Sequence, residues 1–223
     1  MFKSIRWKFI IVYFLLVFIA MVIVGVFIVQ KFEAQQLDNR TNTMVKQIET
    51  IISSSSYLNN DNWNEVREEI QNTLNEWRFD SADTLYIIYD DDIRKIIATS
   101  SKNLDRVVGQ NALRYKYLDP SLILKAYEGE RAEGIRKDIN EDTVFKHLAY
   151  PMLDEVGQVK GVFYMTSDLQ DIYKTLDESK KILTSATILA LLITIVLGFL
   201  IASSITEPIR DVTKKAEKMA KGD

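Results

Sequence analysis

Two stretches of this chain, residues 9–29 and 182–202, contain no charged side chain, and 36 of their 42 residues are hydrophobic. This restricts the fold more than any other feature, because a helix of about 20 residues reaches roughly 30 Å, the thickness of a bilayer's hydrocarbon core. All 28 Lys and Arg and all 31 Asp and Glu lie elsewhere in the chain. The whole-chain averages, 47% hydrophobic and a net charge of −3, therefore blend two neutral spans with charged soluble protein.

Lys3, Arg6 and Lys8 precede the first run without an acidic residue, which assigns residues 1–8 to the cytoplasm by the positive-inside rule. Gln30-Lys31-Phe32-Glu33 follows where a cleavable signal peptide carries small residues, so the run reads as an uncleaved anchor. The polar groups of the second run include Thr184, Ser185, Thr187 and Thr194, whose hydroxyls can bond back to helix carbonyls. Arg210, Lys214, Lys215, Lys218 and Lys221 come after it, so both termini are expected in the cytoplasm and residues 30–181 outside the cell. Lys180 and Lys181 on the outer flank run against that bias. Ala186, Ala190, Thr194, Gly198 and Ala202 recur every four residues, a ridge of small side chains suited to close helix packing, although small residues are common in such spans.

The outer segment, residues 30–181, holds 20 basic and 27 acidic residues, a net of −7, and is long enough for one core. Residues 30–52 continue the first helix, with Leu37, Met44, Val45, Ile48, Ile51 and Ile52 as a partial stripe broken at Ser53–Ser56. The spacing of Trp63, Val66, Ile70, Leu74 and Trp77 predicts a second helix capped by Asp61 or Asn62. Leu85–Tyr89 and Ile93–Thr99 read as a hairpin turning at Asp90-Asp91-Asp92, followed by an irregular Leu104–Asn111. Asp119-Pro120 opens a helix to about Glu128. Glu133–Ile139, Thr143–Met152 and Gln158–Thr166 add strands, and Asp168–Lys181 is a helix entering the second span. The expected class is α+β: two transmembrane helices flanking an extracytoplasmic antiparallel sheet of PAS-like or Cache-like layout.

The composition excludes much chemistry. Without Cys there is no thiol nucleophile and no Cys zinc site, and the eight Gly form no phosphate-cradling loop. The acidic balance offers nucleic acid no basic field. Asp90-Asp91-Asp92 lacks calcium-loop spacing and reads as a solvated turn. The single histidine, His147, has no neighbouring acid and lies on a strand, where it reads as a surface or satisfied residue, with pH sensing as the sharper alternative. No catalytic, cofactor or metal residues are assigned. A small-molecule pocket on the sheet is the functional option, with Tyr86, Tyr89, Arg94, Arg136, Tyr150 and Tyr164 as candidates, each of which could equally be sheet packing.

After the second span, Ile205, Ile209, Val212, Ala216 and Met219 form a heptad seam. Together with Glu207-Pro208 and the closing Met219-Ala220-Lys221-Gly222-Asp223, this stretch closely resembles the first helix of a HAMP signalling module. Phe2-Lys3-Ser4-Ile5-Arg6-Trp7-Lys8-Phe9 and the first span resemble the start of the WalK (YycG/VicK) family of two-component sensor histidine kinases, which are linked to cell-wall metabolism. That resemblance implies a homodimer in the cell membrane, an unidentified extracytoplasmic ligand or partner protein, and a WalR-like response regulator. It also implies that Glu207, Pro208 and the seam residues transmit the signal. The family's second HAMP helix, cytoplasmic PAS domain, phosphoacceptor helix and ATP-binding domain have no counterpart in these residues, so ATP and Mg²⁺ are expected only for a kinase core beyond them. A chemotaxis-type HAMP receptor and a standalone membrane-bound binding module remain open alternatives.

Overall fold

The computed structural model describes residues 5–60, 62–89, 93–138 and 143–220. Asp61, the Asp90-Asp91-Asp92 turn, Ile139 and the extreme termini, which carry several of the sequence expectations, lie outside these described residues. Two compact units result, Met1–Ala34 with Lys174–Asp223, and Gln35–Tyr173.

The first unit contains the apolar parts of two long helices, α1 (Ile5–Ser54) and α5 (Gln170–Ala220). Both are long and apolar enough to cross a membrane. Most large side chains in these stretches, such as Phe27, Ile188 and Phe199, are exposed, the pattern of a helix whose solvent is lipid. Along the small-residue ridge, Thr194, Gly198 and Ala202 are buried, Ala190 is partly so and Ala186 is exposed. A Cβ added at Gly198 would meet Ile10 and Tyr13 at 3.8 Å, so this part of the ridge faces the first span of the same chain. Thr194 Oγ1 donates to the Ala190 carbonyl at 2.8 Å, which removes a polar group from the apolar surface.

The second unit is built on one five-stranded antiparallel sheet. Its strands are β1 (Asp83–Tyr89), β2 (Ile96–Thr99), β3 (Ala132–Lys137), β4 (Val144–Leu153) and β5 (Val159–Asp168), in the order β2-β1-β5-β4-β3. Period-two alternation divides the side chains between two cores. On one face Leu85, Ile87, Leu148, Phe163 and Met165 pack against Met44, Ile48 and Ile51 of α1 and Ile70 and Leu74 of α2 (Arg67–Glu76). On the other face Ile88, Ala149, Val162 and Tyr164 pack against Ile123 and Ala126 of α4 (Pro120–Tyr127) and Val107 of α3 (Leu104–Val107). Fully burying each Ile or Leu stabilises by roughly 1.5–3 kcal/mol, so both faces contribute to holding the sheet.

Most expected elements are present, with two corrections besides a β2 that begins at Ile96 rather than Ile93, which leaves Arg94 in the turn. The second helix starts at Arg67 rather than near Trp63, and Val66 precedes it without a side-chain cap. Asn62 is not its cap: its side chain accepts from the Asn64 N–H at 3.1 Å and donates to Glu65 at 2.9 Å, local bonds that compete with helix formation. Trp63 is instead the buried plug of this turn, donating Nε1–H to the Leu58 carbonyl at 2.9 Å. Its ring lies over Gly161 so closely that a Cβ there would come within 2.5 Å of it. The second correction is the one-turn helix α3 inside the segment expected to be irregular. By contrast Asp119 caps α4 as expected, accepting from the Ser121 N–H at 2.9 Å with Pro120 at the first helical position.

Candidate functional site

The α4 side of the sheet is not filled by packing alone. In register across four strands, Thr84 pairs with Thr166, Thr166 with His147, and His147 with Gly134. These residues share one face, and the row is polar or side-chain-free where the adjacent row, Tyr86, Tyr164, Ala149 and Ala132, is aromatic or alanine and belongs to the buried core. Above the polar row lies a cavity of about 370 Å³. Tyr86, Tyr115, Tyr117 and Phe145 supply aromatic wall, and among the described residues Lys116, Arg136 and Lys137 supply cations against one acid, Asp138. Tyr115 sits 6.0 Å from Tyr86 and 5.5 Å from Tyr117, ring centre to ring centre.

Hydrogen bonding fixes the chemical state of the cavity floor. His147 is only 3% exposed, and its Nδ1 lies 2.8 Å from the Tyr164 hydroxyl. That hydroxyl oxygen accepts the Asp119 backbone N–H at 2.9 Å. Burial pushes the Tyr164 phenol well above its ordinary range, so it keeps its proton. The proton needs a buried acceptor, and Nδ1 is within reach. The neutral imidazole accordingly carries its own proton on Nε2. Burial first, and the Arg136 guanidinium second, hold the His147 pKa down at about 4, opposed by Asp119. The expectation of a satisfied strand histidine therefore describes the residue, and its low pKa removes titration near neutral pH.

The six ligand candidates separate by position. Tyr86 and Arg136 line the cavity, and Tyr164 lies directly beneath it through His147. Arg136 is tethered there by donating Nη1–H to the Leu118 carbonyl at 3.1 Å. Tyr89 and Tyr150 face the opposite core: Tyr89 packs against Trp63 with ring centres 5.8 Å apart, and the Tyr150 hydroxyl donates to Glu49 of α1 at 3.4 Å. Arg94 is on the hairpin turn, its guanidinium 4.6 Å above the Tyr127 ring. The sequence held a signal for part of this division, since residues 86 and 89 are three apart on one strand and must point to opposite faces. His147, Tyr115, Lys116, Tyr117 and Phe145 escaped that reading; the aromatic-cation-aromatic run Tyr115-Lys116-Tyr117 was the visible cue.

A second feature ties α1 to the sheet. Arg40 donates Nε–H to Ser167 Oγ at 2.5 Å and Nη2–H to Asp83 Oδ1 at 2.7 Å. Burial pushes the Asp83 carboxyl up, opposed by the Ser167 hydrogen bond and by Arg40. One side chain thus joins α1 to the ends of β1 and β5, and Ser167 is three residues before α5 begins. The side chains of Glu207 and of the seam residues Ile205, Ile209, Val212, Ala216 and Met219 lie outside the described residues; their backbone belongs to α5, in which Pro208 is exposed.

No protein-family model matches the chain. Over 236 aligned residues it is 30% identical to the sensor protein kinase WalK of Staphylococcus saprophyticus, and over 226 it is 26% identical to the sensor histidine kinase WalK of Bacillus subtilis. Each match covers 100% of this chain and 36% of the relative, so the chain spans about a third of the length of these kinases, consistent with their N-terminal sensor portion. Among solved structures, the periplasmic sensory domain of the Campylobacter jejuni chemoreceptor Tlp1 is 18% identical with a TM-score of 0.38, covering 65% of this chain and 59% of that one.

Proposed function

We propose that this chain is the sensory and membrane-signalling portion of a WalK-like two-component histidine kinase. The observation that carries the reading is the match along the entire chain to WalK kinases, together with one sheet domain whose first and last helices are the two apolar spans. Residues 30–181 face outward, both termini are cytoplasmic, and the protein acts as a homodimer. The helix after the second span is the start of a HAMP module. Catalysis, with its ATP and Mg²⁺, belongs to a kinase core beyond these residues, which passes phosphate to a WalR-like response regulator in the control of cell-wall metabolism.

In this reading the cavity above His147 is the input. A ligand shifts the domain between two arrangements only to the extent that it binds them with different affinity. The sheet is coupled to α1 through Arg40, and β5 leads into α5 within two residues. Displacement of α5 reaches Glu207 and Pro208, where the lost backbone donor of proline makes a natural yielding point.

The test is phosphate transfer by the full-length protein in membranes. Pro208→Ala and Glu207→Ala are each expected to change kinase output; output equal to that of the unaltered protein for both variants refutes the coupling.

A further inference from the structure

We infer that the cavity above His147 binds a small organic carboxylate, its head held by the Arg136 guanidinium and the His147 Nε2–H and its body lying against Tyr86, Tyr115 and Phe145. The inference rests on reading this cavity as the input site and gives that input a chemical class.

Charge is the first argument. Residues 30–181 sum to −7, yet among the described residues the cavity wall carries Lys116, Arg136 and Lys137 against Asp138. A cationic concavity on an acidic domain concentrates anions locally while the rest of the surface repels them. An ammonium ligand would meet the opposite field, despite the aromatic rings available to it.

Donor geometry is the second. A guanidinium has five N–H donors in a rigid fork, and the Leu118 carbonyl at 3.1 Å takes one from Nη1. That bond anchors the fork at the cavity without consuming its capacity for a bidentate carboxylate. His147 contributes the second donor. With Nδ1 occupied by the Tyr164 hydroxyl, the imidazole presents Nε2–H as its second donor, on a residue that lines the cavity. An N–H at the cavity wall exchanges a neutral solvent partner for a carboxylate oxygen, a stronger charge-assisted bond. One fork and one imidazole N–H match the two oxygens of a planar carboxylate.

Size is the third. About 370 Å³ lies at the small end of ligand cavities, enough for a metabolite-sized acid. The tyrosine and phenylalanine rings present flat apolar surface, so the carboxylate sits on a partly apolar or ring-shaped body.

The chain contains one histidine, which makes the experiment direct. With ¹⁵N-labelled histidine in the 223-residue chain in detergent micelles, His147 gives the only imidazole signals. The probes are acetate, propionate, succinate and benzoate, each paired with its neutral amide, and sodium chloride at matched ionic strength. At least one carboxylate should shift the His147 signals saturably and raise the pH at which they titrate, because a nearby anion favours the imidazolium. Its amide and chloride should not. Arg136→Gln, at an exposed position on an edge strand, should weaken that binding at least about tenfold, the loss of one charge-assisted hydrogen-bonded contact, with Arg136→Lys intermediate. The inference is overturned if no carboxylate in the panel shifts His147, if an amide or chloride acts equally, or if Arg136→Gln binds as tightly as the parent. Failure of the sensing role reads differently. A carboxylate that binds through Arg136 but leaves phosphate transfer by the full-length protein unchanged keeps this inference and removes the cavity as the input.

Discussion

Replacing Arg40 with Leu should be the most informative single change in the sheet domain. The Asp83 side chain is fully buried and the Arg40 side chain 17% exposed, with Nη2 and Oδ1 2.7 Å apart. Removing one partner of a buried pair costs about 3–5 kcal/mol, because the remaining charge loses its compensation, and the partial exposure of Arg40 favours the lower end. For a domain of this size about 3 kcal/mol lowers Tm by roughly 6–12 °C.

The pH dependence sharpens the test. Burial already raises the Asp83 pKa in the folded protein, while Arg40 opposes the rise. A raised folded pKa means that this group's stabilising contribution is complete at pH below its unfolded value and is lost as pH rises through the folded one. Without Arg40 the folded pKa rises further, so the deficit of Arg40→Leu should be largest near neutral pH and should shrink as acid protonates Asp83. Combining Arg40→Leu with Asp83→Leu should recover most of the loss, since an apolar pair leaves no stranded charge. The assay is thermal unfolding of the 223-residue chain in detergent, followed by circular dichroism across pH. A Tm within about 2 °C of the parent at neutral pH, an equal deficit in acid, or no recovery in the double variant refutes the account of this pair as a buried, mutually compensating tie.

Three further outcomes follow from the same geometry. Gly161→Ala places a Cβ 2.5 Å from the Trp63 ring and 2.6 Å from the Ile88 carbonyl, and should cost about 1–3 kcal/mol by overpacking, measured by denaturant unfolding with Trp63 near-ultraviolet dichroism as a local probe. His147 has a folded pKa of about 4, below its ordinary value of 6.5, so the parent should lose stability as pH falls from about 6.5 to about 4, by on the order of 3 kcal/mol in total. His147→Gln should flatten that part of the profile, and an unchanged slope would locate the acid sensitivity elsewhere. In the naturally Cys-free chain, cysteines at positions 10 and 198 should cross-link within one chain, leaving a monomer band on a denaturing gel; exclusive formation of a covalent dimer would assign the ridge to contacts between chains.

The described helices and strands show where sequence reasoning succeeds and why. A charge-free run of membrane length admits few alternatives, and an Asp-Pro start or a β-rich run between turn residues is settled within a few residues of itself. Trp63 shows the limit. Its spacing to Val66 and Ile70 fits a helical stripe, but the Asn60 and Asn62 side chains bond locally to nearby backbone groups and hold it in a turn, where it seals the core over Gly161. Periodicity counts apolar positions and does not register that competition.

The site divides in the same way. Sequence nominated Tyr86, Arg136 and Tyr164 but also Tyr89 and Tyr150, because residue type identifies chemistry and says nothing of which face it occupies. Alternation along β1 separates Tyr86 from Tyr89. The grouping of His147 with Thr84, Thr166 and Arg136, however, depends on register across four strands drawn from residues more than 80 positions apart. What the sequence determined by itself was the two spans, the charge on the segment between them and the local elements, all set by interactions along the chain. The cavity, the His147 tautomer and the Arg40 tie were decided only by tertiary structure, because pairing at long sequence separation creates the burial that gives those side chains their protonation states and partners.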